Sequence, residues 1–365
     1  MKAKKTGGEN TRAKPGRKLK KYEQVARDLE KRIREGAYSK KLPGIRLLSD
    51  DLGSNPMTVG SAIKLLVEKG LLYRIPKSGT YVQEDGRKRS GVVAFVVNDM
   101  NMPMTSKLLA SMSEVADEKK LKLVLYNYLR NPNREAAIIK ELVRDRTADG
   151  IIWFPSSIEA VAELKDIFSK GKMPFIGVGI PYAGMEEIVV TADPFDGFRV
   201  LTRHLVEVGR KRILFVTDRP RRRISETSPR YLGYRSVLDD NGLEVFRPFV
   251  VPDTLGAGVA DDVKAGLLKQ LRGYDALLCA HDRLAANIHQ LLVFGNIRCP
   301  EDVALASYDG LEISEALGIT TYAQPFDVIG RTAVTNLMRL VSAPGGEIGN
   351  ELISGNLIVR RSTGG

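Results

Sequence analysis

The chain is poor in the residues that most enzymes and metalloproteins draw on. It has two cysteines, Cys279 and Cys299, one tryptophan and three histidines in 365 residues. The cysteines form no close motif, and Cys279 closes the apolar run Ala276-Leu277-Leu278, where a small core residue fits. His204, His281 and His289 make no metal-ligand spacing with cysteines or carboxylates, so no metal and no cofactor is expected. No Gly-x-Gly-x-x-Gly opens a helix, and Gly177-x-Gly179 is too bare to count as a phosphate loop. His281, Asp282 and Asp309 have acid–base chemistry, but no nucleophile, metal set or phosphate loop accompanies them, and the expectation is that the chain is not an enzyme. No hydrophobic run approaches transmembrane length, and the N-terminal stretch is polar and basic without an apolar signal core. A cytoplasmic protein with no membrane partner is therefore expected.

What is present is unevenly spread. Of the net charge of +12, the stretch up to Ser90 carries 23 Lys/Arg against 10 Asp/Glu, and the rest 33 against 34. All the excess positive charge thus sits at one end, which points to a polyanion partner there. Residues 1–20 combine this charge with Gly and Pro and almost no bulky apolar side chains, the composition of a disordered tail. Residues 84–90 form a short charged linker, after which the composition shifts.

Between tail and linker the spacing is informative. Tyr22, Val25, Ala26, Leu29 and Ile33 trace one face of a first helix. Leu47, Leu48 and Leu52 make a short second helix that Gly53 stops. Pro56 stands at the start of a third, with Val59, Ala62, Ile63 and Leu66 at helical spacing and Gly70 beyond its end. Leu71–Ile75 and Thr80–Val82 then flank a Pro-Lys-Ser-Gly tip as a hairpin. Helix, tight turn, helix and hairpin make a winged helix-turn-helix over residues 21–83, a unit that lays its second motif helix in the DNA major groove. The order Leu42-Pro43, Arg46, Leu48, Leu52-Gly53, Thr58-Val59, Ala62, Leu66, Gly70-Leu71-Leu72 and Gly79-Thr80-Tyr81-Val82 resembles the GntR family of bacterial transcription regulators. Two departures are Gly44, where Ser is usual, and Asn55-Pro56, where Ser-Arg is common. The resemblance implies that Arg46 contacts DNA. Asn55, Met57, Thr58 and Ser61 fall on the exposed opening of the recognition helix, within reach of base edges. Lys64 suits a phosphate, and Lys77 and Ser78 sit at the wing tip.

From Gly91 the pattern becomes alternating strand and helix. GVVAFVV reads as a central parallel strand buried on both faces, and two successive sets of βα units follow, the second from Phe195. The expected class is α/β, with two doubly wound lobes behind an N-terminal winged helix-turn-helix domain. Residues 91–364 are similar to the sensor region of the LacI/GalR family, which has the periplasmic-binding-protein fold. The likeness is carried by Asp149-Gly150-Ile151-Ile152, Arg230-Tyr231-Leu232-Gly233-Tyr234, Asp275-Ala276 with Asp282, Pro300-Glu301-Asp302-Val303, Ser307-Tyr308-Asp309 and the run 357–363. It implies three crossings between lobes, near Thr191, Gln324 and Asn350. Lobe 1 would comprise about 91–191 and 325–350, and lobe 2 about 192–324 and 351–363. A ligand would then sit in the cleft, at the C-terminal ends of the strands.

The resemblance puts Arg230, Asp282 and Asp309 near that cleft, with His281 where Asn is usual and Gly179 where a polar contact is common. Asn98, Asp99 and Asn101 follow the first strand of lobe 1, and Trp153 and Phe154 end the third, where they are candidates for stacking. Asp282 has an alternative role as a helix N-cap. Together these features imply a one-component transcription regulator, a repressor of a carbohydrate operon. Its partners would be operator DNA, a small-molecule effector such as a sugar, and a second copy in a homodimer. A purine-type corepressor and a sugar-binding protein without DNA function are the alternatives.

Overall fold

The computed structural model describes residues 20–38, 41–75, 78–82, 89–171, 173–179, 188–218, 228–252, 259–342 and 348–365. The tail up to residue 19, the wing-tip Lys77 and the linker residues 83–88 lie outside them, as does Arg221-Arg222-Arg223. The chain separates into two compact units, residues 1–90 and 91–365.

In the first unit, helices α1 (Lys21–Arg34), α2 (Ile45–Asp51) and α3 (Pro56–Glu68) precede the antiparallel pair β1 (Leu72–Ile75) and β2 (Gly79–Val82). Their apolar stripes converge on one core of Ala26, Leu29, Leu42, Leu48, Val59, Ala62, Ile63, Leu66, Leu71, Leu72 and Val82. Pro56 opens α3 as its first residue, and the Asn55 side chain caps it by accepting from the Thr58 N–H at 2.8 Å. The α1–α2 junction is fastened by Arg32, whose guanidinium meets Asp28 and Asp51, while the Tyr38 hydroxyl donates to the same Asp51 carboxylate.

The second unit holds two six-stranded sheets. Lobe 1 contains β3 (Val92–Val97), α4 (Pro103–Glu118), β4 (Lys122–Asn127), α5 (Pro132–Asp145), β5 (Gly150–Trp153), α6 (Ile158–Gly171), β6 (Phe175–Val178) and β7 (Val189–Ala192). Lobe 2 contains α7 (Pro194–Glu207), β8 (Ile213–Thr217), α8 (Pro229–Asp240), β9 (Phe249–Val250), α9 (Asp261–Leu271) and β10 (Ala276–Cys279). It continues with α10 (Asp282–Phe294), β11 (Ala304–Asp309), α11 (Glu312–Ala316) and β12 (Thr320–Ala323). Helix α12 (Phe326–Ser342) returns to the core of lobe 1, and β13 (Glu351–Ile353) and β14 (Asn356–Ile358) finish one sheet each. The orders are β13-β7-β6-β5-β3-β4 and β14-β12-β11-β10-β8-β9, parallel except for β14. Fully apolar strands such as β10 are buried throughout, as sheets covered on both faces require.

The chain therefore passes between lobes three times, between β7 and α7, between β12 and α12, and between β13 and β14. The third passage falls at Ser354-Gly355 rather than near Asn350, because β13 pairs with β7 and so belongs to lobe 1. Gly355 is tightly placed there. Its N–H donates to the Tyr322 hydroxyl at 2.7 Å, and a Cβ would stand 2.2 Å from the Ala323 carbonyl oxygen. Two passages are thereby pressed together, and only glycine fits.

Candidate nucleic-acid interface and effector cleft

On the first unit, Arg46, Asn55, Met57, Ser61, Lys64 and Ser78 are exposed and Thr58 is partly so. Met57, Ser61 and Lys64 recur at i, i+4 and i+7 along one face of α3. The structure adds detail to two of the expected contacts. One lone pair of Asn55 Oδ1 is taken by its cap, and among the described residues its side-chain NH2 is free to donate outward. At the wing, the Ser78 hydroxyl shares a hydrogen bond with that of Tyr81 at 2.6 Å.

In the second unit the strand ends carry the polar groups. Asp309 closes β11 at φ 134°, a conformation that side chains other than glycine rarely adopt. Gln324 holds it twice, since the Gln324 amide donates to Asp309 Oδ1 at 2.7 Å and its backbone N–H to the Asp309 carbonyl at 3.1 Å. Burial pushes the Asp309 carboxyl up to about 6, against the pull of the nearby Arg230 charge. Arg230, in the first turn of α8, donates through Nη1 to the Ala280 carbonyl at 2.7 Å and lies 4.9 Å over the Tyr308 ring.

His281 caps α10, its Nδ1 accepting from the Leu284 N–H at 3.1 Å. The proton is thus on Nε2, which donates to Asp218 at 2.8 Å. Asp282 neither caps the helix nor faces the cleft. It is 0% exposed and accepts from the Ser307 hydroxyl at 2.5 Å, the Thr321 hydroxyl at 2.7 Å and the Leu311 N–H at 2.6 Å. It ties β11, β12 and the turn into α11 together, and burial raises its carboxyl above the ordinary range.

Across the cleft, Asp99 accepts from the Asn101 N–H at 3.0 Å and pairs with Arg130 at 3.3 Å, while Asn101 is exposed. The Asn98 side-chain oxygen is buried without a partner among the described residues, an open acceptor at the end of β3. Trp153 is a correction to the sequence reading. It is 0% exposed, packs on Phe168, and donates its indole N–H to the buried Glu135 at 2.8 Å, so it is unavailable to a ligand. Successive residues at a strand end point to opposite faces, and Phe154, the other of the pair, is the half-exposed one. Its ring fills the space beside Gly179, where a Cβ would lie 2.4 Å from the ring. The polar contact absent at that position is thus replaced by an aromatic surface.

A cavity of about 310 Å³ is lined by Arg130 from lobe 1 and by Asp218, Pro252, His281, Arg283, Leu284 and Asn287 from lobe 2. Arg130, Asp218 and Gln324 had no local signal in the sequence. Arg130 sits in a left-handed turn, and its place opposite His281 comes from folding alone. Among the described residues no cluster of histidine, cysteine or carboxylate groups could hold a metal, and no helix is long and apolar enough to cross a membrane.

Residues 21–82 match the model of the bacterial regulatory proteins of the gntR family, and residues 202–363 that of the periplasmic binding protein-like domain. The arabinose metabolism transcriptional repressor of Geobacillus stearothermophilus is 22% identical over 94% of this chain and 98% of its own length. The regulator GalR of Escherichia coli K12 is 25% identical over 74% and 78%. The chain is a DNA-binding transcription regulator that joins a gntR-family head to a periplasmic binding protein-like domain, and it is similar to regulators of the LacI/GalR type. Among solved structures, the regulator CelR in complex with cellobiose has a TM-score of 0.65 at 21% identity, covering 88% of this regulator and 100% of that chain. The lac repressor dimer bound to operator and an anti-inducer has a TM-score of 0.65 at 19% identity, over 75% and 94%. These likenesses concern the fold of the regulator.

Proposed function

We propose that the regulator is a homodimeric repressor whose operator affinity is set by a small molecule held between the sensor lobes, and that this effector is a sugar. The observation that carries the reading is the cleft itself. Asp218, His281 and Asp309 follow or close three strands of one lobe, Arg230 is bonded to the Ala280 carbonyl beside His281, and the cavity lined by Asp218 and His281 is completed by Arg130 of the other lobe. Planar charged groups of this kind bind polyols through paired hydrogen bonds, while the Phe154 ring suits the apolar face of a sugar. An effector that touches both lobes binds one lobe arrangement better than another, and that difference is what couples it to the DNA heads. Two-fold operators require paired recognition helices, which supports a dimer.

The test is a thermal-shift screen of sugars and nucleobases on the full chain, followed by titration of any stabilising compound against Asp309→Ala and Arg230→Ala. Loss of one charged hydrogen bond weakens binding by about 1.5–3 kcal/mol, roughly ten- to hundredfold. A compound that binds both variants as tightly as wild type refutes this site. A nucleobase that tightens operator binding replaces the sugar-induction reading with corepression. Sedimentation showing a monomer at micromolar concentration removes the dimer.

A further inference from the structure

The outward face of α3 is made by Met57, Gly60, Ser61 and Lys64. Met57 is 86% exposed, the most exposed large apolar side chain among the described residues. A single exposed apolar residue is ordinary; its neighbours give this one meaning. Gly60 lies one turn further along, and a Cβ built on it meets nothing within 4 Å. No contact among the described residues calls for glycine, although glycine inside a helix costs about 1 kcal/mol relative to alanine. Asn55 has the fork that reads adenine, but its oxygen already accepts from the Thr58 N–H, which turns the side chain back onto the start of the helix. From Pro56 to Glu68 there is no Arg, Gln or Asn. Apart from Lys64 in its third turn, the helix therefore lacks a side chain for clamping a purine edge with two hydrogen bonds. The remaining signal an apolar side chain reads in the major groove is the C5 methyl of thymine.

We propose that Met57 is a thymine-reading residue, packing its thioether on the C5 methyl of one thymine in each operator half-site, and that Gly60 lets the helix approach closely enough for that contact. The proposal rests on the head being the element that binds DNA.

Duplexes enriched from a random library by the full chain provide the probe. Each thymine of an enriched duplex is replaced in turn by deoxyuridine, which removes the methyl and nothing else. One position per half-site should lose about fourfold in affinity, the value of one buried methyl-sized group. In Met57→Ala that replacement should matter less than twofold, and Met57→Leu should restore the discrimination. Because Met57 is so exposed, its variants should melt with wild type, which separates reading from folding. Gly60→Ala should raise the thermal midpoint of the head and yet weaken every enriched duplex. Enriched duplexes without a methyl-sensitive thymine, or equal discrimination in Met57→Ala, overturn the proposal while leaving DNA binding intact. Failure to enrich any duplex overturns the DNA reading and the proposal together.

Discussion

Helix α3, proposed to face DNA, and the proposed effector cleft are built on opposite principles. On α3 the outward groups are exposed, and Asn55, the residue that caps it, is held by that cap rather than by a binding network among the described residues. In the cleft the charged groups are engaged before any ligand arrives. Asp309 is held by Gln324, Asp218 by His281, Arg230 by the Ala280 carbonyl and Asp99 by Arg130. DNA brings its own charge and hydrogen-bonding groups, so a head can leave its contacts in water at little cost to folding. A small ligand brings few, so its site must be preorganised, and buried charge weighs on stability. Substitutions in the cleft should therefore disturb folding and ligand binding together, whereas substitutions on the head should change DNA affinity alone.

The largest expected break is at Asp282. Asp282→Ala strands two hydroxyls and one N–H in the interior of lobe 2 and should lower sensor stability by about 3 kcal/mol or more. Guanidinium unfolding followed by the emission of Trp153, the single tryptophan, measures it. A variant as stable as wild type would show that Asp282 is not the tie between β11, β12 and α11.

Asp309 sharpens the comparison through pH. Its carboxyl is raised to about 6 from an ordinary 3.8, so the folded state favours the protonated form. Its contribution to stability is therefore fullest below the ordinary value and is lost as pH rises through about 6. Asp309→Asn, which cannot ionise, should remove up to about 3 kcal/mol of that decline. Denaturation midpoints at pH 4.5 and 7.0 for both proteins check the sign, and parallel pH profiles would refute it.

Legibility in the sequence divides along the same line. The head was readable because its information is local. Stripes such as Val59, Ala62, Ile63 and Leu66, the stop at Gly70 and the opening at Pro56 each act within a turn or two. The alternating strands and helices of the sensor were readable for the same reason. The cleft was not, because its chemistry is set by distant partners. Asp282 reads as a cap until Ser307 and Thr321, 25 and 39 residues away, claim its oxygens. Trp153 and Phe154 are equivalent as a sequence pair, and only packing on Phe168 and the bond to Glu135 decide which of them is core. A three-residue strand such as β13 carries no pattern of its own, so the last crossing was expected too early.

On the head, Arg46→Ala should weaken binding to an enriched operator by about 1–3 kcal/mol if the guanidinium makes a bidentate contact. It should leave the thermal midpoint unchanged, because Arg46 is exposed near the start of α2. Loss of stability without loss of affinity would reverse the contrast between head and cleft.

The smallest effect is the most discriminating, because Asn55 belongs to both categories at once. Its oxygen accepts from the Thr58 N–H at 2.8 Å, a folding role, while its NH2 donates to no partner among the described residues. Serine caps a helix about as well as asparagine, whereas alanine costs about 1 kcal/mol at such a position. Asn55→Ser should therefore hold the stability of the head within about 0.5 kcal/mol and remove only the outward donor. Asn55→Ala should lose both. If the amide donates one hydrogen bond to a base, both variants should lose about 1 kcal/mol of operator affinity, measured by titration of the full chain against one duplex. If Asn55→Ser binds as tightly as wild type and Asn55→Ala does not, Asn55 is a cap alone, and base reading on this helix falls to Met57, Thr58 and Ser61.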